Sequence, residues 1–151
     1  MIKNISKKQN IYLRGDMENP YHLSVGVVLQ IKNNIVVIKK PNGSYTLPRE
    51  TIYTNESLEG GLARCVKEEI GIQDMKIKKY LGSIITHFNR PNGSKIEKTT
   101  IYFLCKAKQF TIDRKPEGDE VSDEPTLMDV FQAIKVLERH KEKEEIIVSR
   151  L

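Results

Sequence analysis

The chain has 151 residues, 38% hydrophobic and 30% charged, with a formal net charge of +5; this suits one compact soluble domain whose core needs no metal or disulfide staple. Two cysteines, Cys65 and Cys105, exclude a disulfide framework and read as free thiols in a reducing cytoplasm. No stretch is apolar enough for a signal peptide or a membrane span, and the modest positive balance fits phosphorylated ligands as well as simple solubility.

Residues 1–19 are polar and basic and read as an N-terminal lead-in segment; residues 20–151 are expected to form a single domain. YHLSVGVVLQIK (21–32) is rich in β-branched residues and predicts a strand. Asn33-Asn34 marks a turn, IVVIKK (35–40) a second strand, and PNGS (41–44) another turn before the short run YTLP (45–48). SLEGGLARCVKEEIG (57–71) predicts a helix with Leu58, Leu62, Val66 and Ile70 along one side. Asn55 or Ser57 can cap its start and Gly71 can end it. Gly60 and Gly61 together cost roughly 2 kcal/mol of helix propensity, so packing must hold this helix or something must approach its first turn closely.

MKIKKYLGSIITHF (75–88) and KIEKTTIYFLCKAK (95–108) predict a hairpin around a second PNGS turn, residues 91–94. An acidic turn-rich stretch, EGDEVSDE (117–124), leads to a short strand at TLM (126–128). A helix is expected from Asp129 to about His140, with KEKEE (141–145) as its solvated, charged continuation. Strand pairs alternating with helices argue an α/β domain with helices packed on a mixed β-sheet.

The helix carries an oddity. Glu68 and Glu69 sit at its C-terminal end, where the helix dipole disfavours acids. Helical spacing puts Cys65, Glu68 and Glu69 in one patch, with Glu69 inside the apolar stripe. A carboxylate there is costly unless it is paired or bound to a cation. One reading is that Glu69 extends outward at the helix end while Arg64 pairs with Glu68. The other is a hard-cation site, because Mg²⁺ takes a few carboxylate oxygens and fills its remaining positions with water and phosphate.

The stretch from Glu50 to Ile72, ETIYTNESLEGGLARCVKEEIGI, resembles the Nudix box: a glycine, five residues, a glutamate, seven residues, then Arg-Glu-apolar-x-Glu-Glu-x-Gly-apolar. Glu56, Arg64, Val66, Glu68, Glu69, Gly71 and Ile72 match it, and Leu47-Pro48 precedes it as in the family. The resemblance covers roughly residues 20–150 and implies an α/β/α sandwich with a mixed β-sheet between helices. It also implies Mg²⁺- or Mn²⁺-dependent hydrolysis of the pyrophosphate bond in a nucleoside diphosphate linked to another group. Glu68 and Glu69 would be metal ligands, and Arg64 would hold the box together by pairing with Glu56. A homodimer would be an ordinary assembly for the family.

Two positions depart from the pattern. Cys65 stands where the family has a glutamate that binds metal or helps activate water, and a thiol is a poor ligand for Mg²⁺. Glu50 stands where the family has the opening glycine, and Arg49 beside it replaces another. A carboxylate is lost at 65 and gained at 50. Either Glu50 reaches the metal site and partly replaces the missing ligand, or both positions drifted and the domain is a catalytically inactive module that binds a nucleotide, an ADP-ribose-like ligand or a partner protein. Glu120 and Glu124, before the last helix, are further candidates for a ligand or base. Arg90, Lys39, Phe88 and Tyr45 are candidate substrate contacts through stacking or phosphate pairing. No nucleic-acid-binding motif is evident.

Overall fold

The structure, a computed structural model, describes residues 20–109 and 122–151. The described elements in chain order are β1 (Tyr21–Ile31), β2 (Asn34–Lys39), β3 (Tyr45–Thr46), β4 (Arg49–Thr51), α1 (Leu58–Ile70), β5 (Met75–Asn89), β6 (Lys95–Ala107), β7 (Glu124–Asp129), α2 (Val130–Leu137) and α3 (Glu145–Val148).

β1 organises the sheet. It runs parallel to β6, from Tyr21 opposite Glu97 to Gln30 opposite Lys106. On its other edge it changes partner: its first half pairs antiparallel with β4, Val25 opposite Glu50, and its end pairs with β2, Gln30 opposite Ile35. β5 lies antiparallel to β6, while β3 and β7 are antiparallel to β2. One parallel pair among antiparallel ones makes the sheet mixed, as expected.

Successive strand residues point to opposite faces, and β1 is apolar on both. Val25, Val27, Leu29 and Ile31 share one buried cluster with Leu62, Cys65, Val66 and Ile70 of α1. Val28 belongs to a second cluster with Tyr102, Leu137, Ile147 and Val148. Helices therefore cover both faces, giving the α/β/α sandwich. At Gly26 an added Cβ would overlap the Tyr102 ring, so glycine there lets that fully buried ring pack against β1.

Several local expectations need correction. The first turn falls one residue earlier, at Lys32-Asn33, with Lys32 at φ 56°. YTLP contributes the two-residue strand β3, and the following Arg-Glu-Thr forms β4, which carries no hydrophobic alternation of its own. The last strand is longer than TLM, spanning Glu124–Asp129 against β2. Asp129 caps α2 by accepting from the Gln132 amide at 2.9 Å.

The largest correction concerns KEKEE, which is neither solvated throughout nor a continuation of the helix. α2 ends at Leu137, and the chain turns through His140 and Lys143, the latter at φ 58°. This turn aims Glu144 inward, where it is fully buried. The apolar Ile147 and Val148 that follow anchor α3 in the second core cluster.

Candidate active site

The helix α1 forms as its ends dictate. The Ser57 hydroxyl accepts from the Gly60 amide at 3.0 Å, and Gly71 takes the left-handed conformation at φ 87° while its N–H bonds the Val66 and Lys67 carbonyls. The glycine pair makes room for Glu56, which folds back over the first turn. A Cβ at Gly61 would meet Glu56 Oε1 at 3.4 Å, and one at Gly60 would meet Glu56 Cγ at 3.4 Å. The buried face is Gly61, Leu62, Cys65, Val66, Glu69 and Ile70. Leu58, expected on that face, is 40% exposed because it sits in the first turn, beyond the edge of the packed layer.

Arg64 is the hub of the box. Its Nε donates to Glu56 Oε2 at 2.8 Å and its Nη2 to Glu56 Oε1 at 2.9 Å, a two-pronged pair. Nη2 also donates to the Thr51 carbonyl at 2.6 Å, and the guanidinium lies 4.2 Å from the Tyr53 ring centroid. Nη1 stands 3.4 Å from both Glu50 Oε1 and Glu68 Oε2. Burial pulls the Arg64 pKa down, but the Glu56 hydrogen bonds and the charges of Glu50, Glu56 and Glu68 outweigh it and hold the pKa well above its usual range. The Arg64 hydrogen bonds in turn lower the pKa of Glu56. The expected Arg64–Glu56 pair is present, and so is the Arg64–Glu68 pair.

Glu50 enters from β4. Strand alternation sends Arg49 and Glu50 to opposite faces: Glu50 toward Arg64 of α1, Arg49 toward the C-terminal layer. Cys65 is fully buried in the first core cluster. Burial raises its thiol pKa well above the ordinary range, and the charges of Glu69 and Glu50 push it further, against Arg64. The thiol is therefore neutral, with two carboxylates acting on it from neighbouring positions. Glu69 is 6% exposed, so it does not extend into solvent, whereas the Glu68 side chain is 41% exposed.

Glu50 and Glu68 thus meet at Arg64, while Glu50 and Glu69 act on Cys65. Among the described residues no group of three or more His, Cys, Asp or Glu side chains forms a ready-made metal cage. The donor chemistry still fits Mg²⁺ or Mn²⁺, because such ions need only one or two carboxylates alongside water and substrate phosphate.

A second charged assembly faces the C-terminal layer. Glu144 accepts from the Leu47 amide at 2.9 Å and from the Tyr102 hydroxyl, with Arg49 Nε 3.9 Å away. Burial, followed by the charge of Glu144, raises the Tyr102 pKa, keeping the phenol a donor. Glu142 pairs with Arg49 and lies 3.4 Å from Lys98 Nζ, and Lys40 pairs with Asp123 at 2.7 Å. Between this assembly and β1 lies a cavity of about 430 Å³, whose walls include Lys40, Arg49, Glu50 and Lys98.

The remaining predicted contacts divide. Phe88 lies edge-on to His22, a cavity residue, with ring centroids 6.3 Å apart, and the Arg90 guanidinium stands 5.6 Å from the Phe88 centroid. Lys39 is exposed at the end of β2, in register with Tyr45 and Glu124, and none of the three lines the cavity. Tyr45 packs partly on the second core cluster. Glu120 lies outside the described residues. Within the acidic stretch, Asp123 is the residue seen to turn inward, to Lys40. Lys40, Lys98 and Glu144 were not singled out in the sequence, and Arg49 was noted only as a departure from the family pattern. The local signal for Glu144 was the apolar IIV directly after it.

Comparison with known proteins agrees with this fold. A family profile described as the NUDIX domain matches residues 20–149. A NUDIX hydrolase from Nitrosomonas europaea superimposes with a TM-score of 0.64 at 18% identity, over 85% of this chain and 86% of that one. An Ap4A hydrolase from C. elegans gives 0.61 at 14% identity, over 86% and 95%. The dihydroneopterin triphosphate pyrophosphohydrolase of E. coli gives 0.59 at 12% identity, over 90% and 94%. No curated protein matches the chain. No helix among the described residues is long and apolar enough to cross a membrane.

Proposed function

The chain belongs to the Nudix family, and from that premise we propose that it is a divalent-metal-dependent hydrolase that cuts a pyrophosphate bond in a nucleotide derivative, with Glu50 standing in for the carboxylate missing at Cys65. The observation that carries this reading is the placement of Glu50. Its carboxylate shares an Arg64 nitrogen with Glu68, each 3.4 Å away, and its charge acts on the thiol at position 65. Drift after loss of function would give no reason for an acid gained at 50 to arrive beside the acid lost at 65.

Glu50, Glu68 and Glu69 would hold Mg²⁺ or Mn²⁺, which when bound neutralises phosphate charge and activates water for attack. Arg64 keeps Glu56, Glu50 and Glu68 oriented, and β4 fixes Glu50 by pairing with β1. Phe88 and Arg90 offer a stacking surface beside His22 for a base. The two buried free thiols suit a reducing, cytoplasmic setting.

A second reading is a catalytically silent module that binds a nucleotide-like ligand or a partner protein. The buried neutral thiol favours it, since Cys65 offers a hard cation no oxygen. The deciding assay presents nucleoside diphosphate sugars, nucleoside triphosphates and dinucleoside polyphosphates with Mg²⁺ or Mn²⁺. The expected result is release of phosphate or a nucleotide from at least one class, abolished by EDTA. Binding without turnover across the panel would overturn the hydrolase reading and leave the silent module.

A further inference from the structure

The turn after α2 is built on one histidine. The His140 amide donates to the Leu137 carbonyl at 3.0 Å, its carbonyl accepts from the Lys143 amide at 3.2 Å, and its ring Nδ1 accepts from the Glu142 amide at 3.2 Å. An accepting Nδ1 carries no proton, so the ring is neutral and keeps its proton on Nε2. The turn presents two acids to β4: Glu142 pairs with Arg49, and the buried Glu144 lies 3.9 Å from the same guanidinium. Arg49 is the neighbour of Glu50 in that strand. We propose that unprotonated His140 is a positioning residue for Glu50: its ring fixes the turn that holds Arg49, and Arg49 fixes the short strand that carries Glu50. The link from there to metal and turnover rests on the hydrolase reading.

Three sets of contacts hold β4. β1 bonds one edge, with Val25 opposite Glu50 and Gly26 opposite Arg49. On one face stands the Arg64 guanidinium, 3.4 Å from Glu50 Oε1 and 2.6 Å from the Thr51 carbonyl. On the other face the anchor is the pair of Arg49 with Glu142. Their side chains are only 17% and 13% exposed, so either one left without its partner is a poorly solvated charge. Glu142 also stands 3.4 Å from Lys98 Nζ, so one carboxylate ties β4 to β6. A three-residue strand makes few ladder bonds, and its tilt follows these side-chain anchors. Strand alternation then carries a shift at Arg49 on one face to Glu50 on the other.

Protonation reverses the His140 contact. An imidazolium donates at both nitrogens, so its Nδ1–H would oppose the Glu142 N–H. Its charge would meet Arg49 from β4, Lys98 from β6 and Lys141 beside it, against Glu142 and Glu144 of the same turn. Burial, then the Arg49 charge, holds the His140 pKa below its ordinary value; Lys141 and Lys98 add to this and Glu144 opposes it. Folding therefore favours the neutral ring. Its contribution is complete above the unfolded value of about 6.5 and is lost as pH falls through the lower folded value. Glu142, Arg49 and Glu50 should loosen over that same range.

Nuclear magnetic resonance of the metal-free protein tests this without turnover. The chain has three histidines, so the His140 ring is identified by its loss in His140→Asn. In the wild type the Glu142 amide and Arg49 Nε–H signals should move together with the His140 ring, at one midpoint below about pH 6.5. An asparagine Oδ1 can accept where Nδ1 does and gains no charge, so in His140→Asn both signals should stay still over this range. His140→Ala removes the acceptor and should displace both at every pH. Mn²⁺ affinity is the second readout. Between pH 7.5 and 5.5 it should fall at least about threefold further in the wild type than in His140→Asn. Stationary Glu142 and Arg49 signals through the His140 titration, or the same Mn²⁺ pH profile in wild type and His140→Asn, would overturn the proposal. Turnover without the coupled signals would sink the role of His140 and spare the hydrolase. Coupled signals and coupled Mn²⁺ affinity with no substrate cut would sink the hydrolase and leave the His140 link standing.

Discussion

Glu144→Ala should lower stability by about 3–5 kcal/mol, or about 10–15 °C in melting temperature for a chain of this size. Glu144 is fully buried and serves three partners from two parts of the chain: the Leu47 amide and, at 3.9 Å, Arg49 of β4 in one segment, and the Tyr102 hydroxyl of β6 in another. Truncation strands the amide and the hydroxyl, each costing about 1–3 kcal/mol when left buried without a partner. Arg49 retains Glu142, which keeps the loss below the sum of all three contacts. Glu144→Gln keeps an acceptor for Leu47 and should lose less than half as much. Because Leu47 and Arg49 flank Pro48 and lead to Glu50, the alanine variant should also lose metal-dependent turnover at temperatures where it is folded. Thermal unfolding by circular dichroism, paired with turnover at 15 °C, checks both. A melting temperature within 3 °C of wild type would refute the strut role of Glu144.

Restoring the family residue at position 65 should harm the protein rather than help it. Cys65 is fully buried in the first core cluster, with Glu69 and Glu50 already acting on it. Cys65→Glu would bring a third carboxylate into that corner, where an uncompensated buried charge is among the most destabilising changes known. In EDTA the variant should lose at least about 3 kcal/mol. Adding Glu50→Gly, which returns both departures to the family pattern, should recover much of that loss. Mn²⁺ should stabilise Cys65→Glu more than wild type, since a cation binding only the folded state shifts unfolding by mass action. Urea denaturation of the four proteins with EDTA and with Mn²⁺ measures this coupling. Additive effects of the two substitutions would mean that positions 50 and 65 do not share a site.

Most of the fold could be read from the chain because periodicity carried it. β1, β2, β5 and β6 have β-branched runs, and α1 has its cap, its stripe and its glycine stop. β4 was missed because three polar residues, Arg-Glu-Thr, carry no pattern; their strand state comes from pairing with Ser24, Val25 and Gly26. The box pairs were legible since Arg64, Glu56 and Glu68 lie close in sequence and on adjacent turns. The contacts of Glu144 were not, because 97 residues separate it from Leu47 and 42 from Tyr102. A charge run reads as solvated by composition, and only the turn at Lys143 decides that one of its acids points inward. The charged cavity was hidden for the same reason: Lys40, Arg49 and Lys98 come from three separate parts of the chain. Arg49 and Glu50, noticed only as a departure in the loop, meet two different sets of partners on opposite faces of β4.

The central claim is that Glu50 supplies the carboxylate that position 65 lacks. Its most direct test is a Mn²⁺ titration followed by electron paramagnetic resonance, on wild type and on Glu50→Gln, which keeps the side-chain shape and removes the charge. Loss of a ligand predicts at least about tenfold weaker Mn²⁺ binding, with turnover falling in parallel. Mn²⁺ affinity and turnover both unchanged in Glu50→Gln would contradict the account.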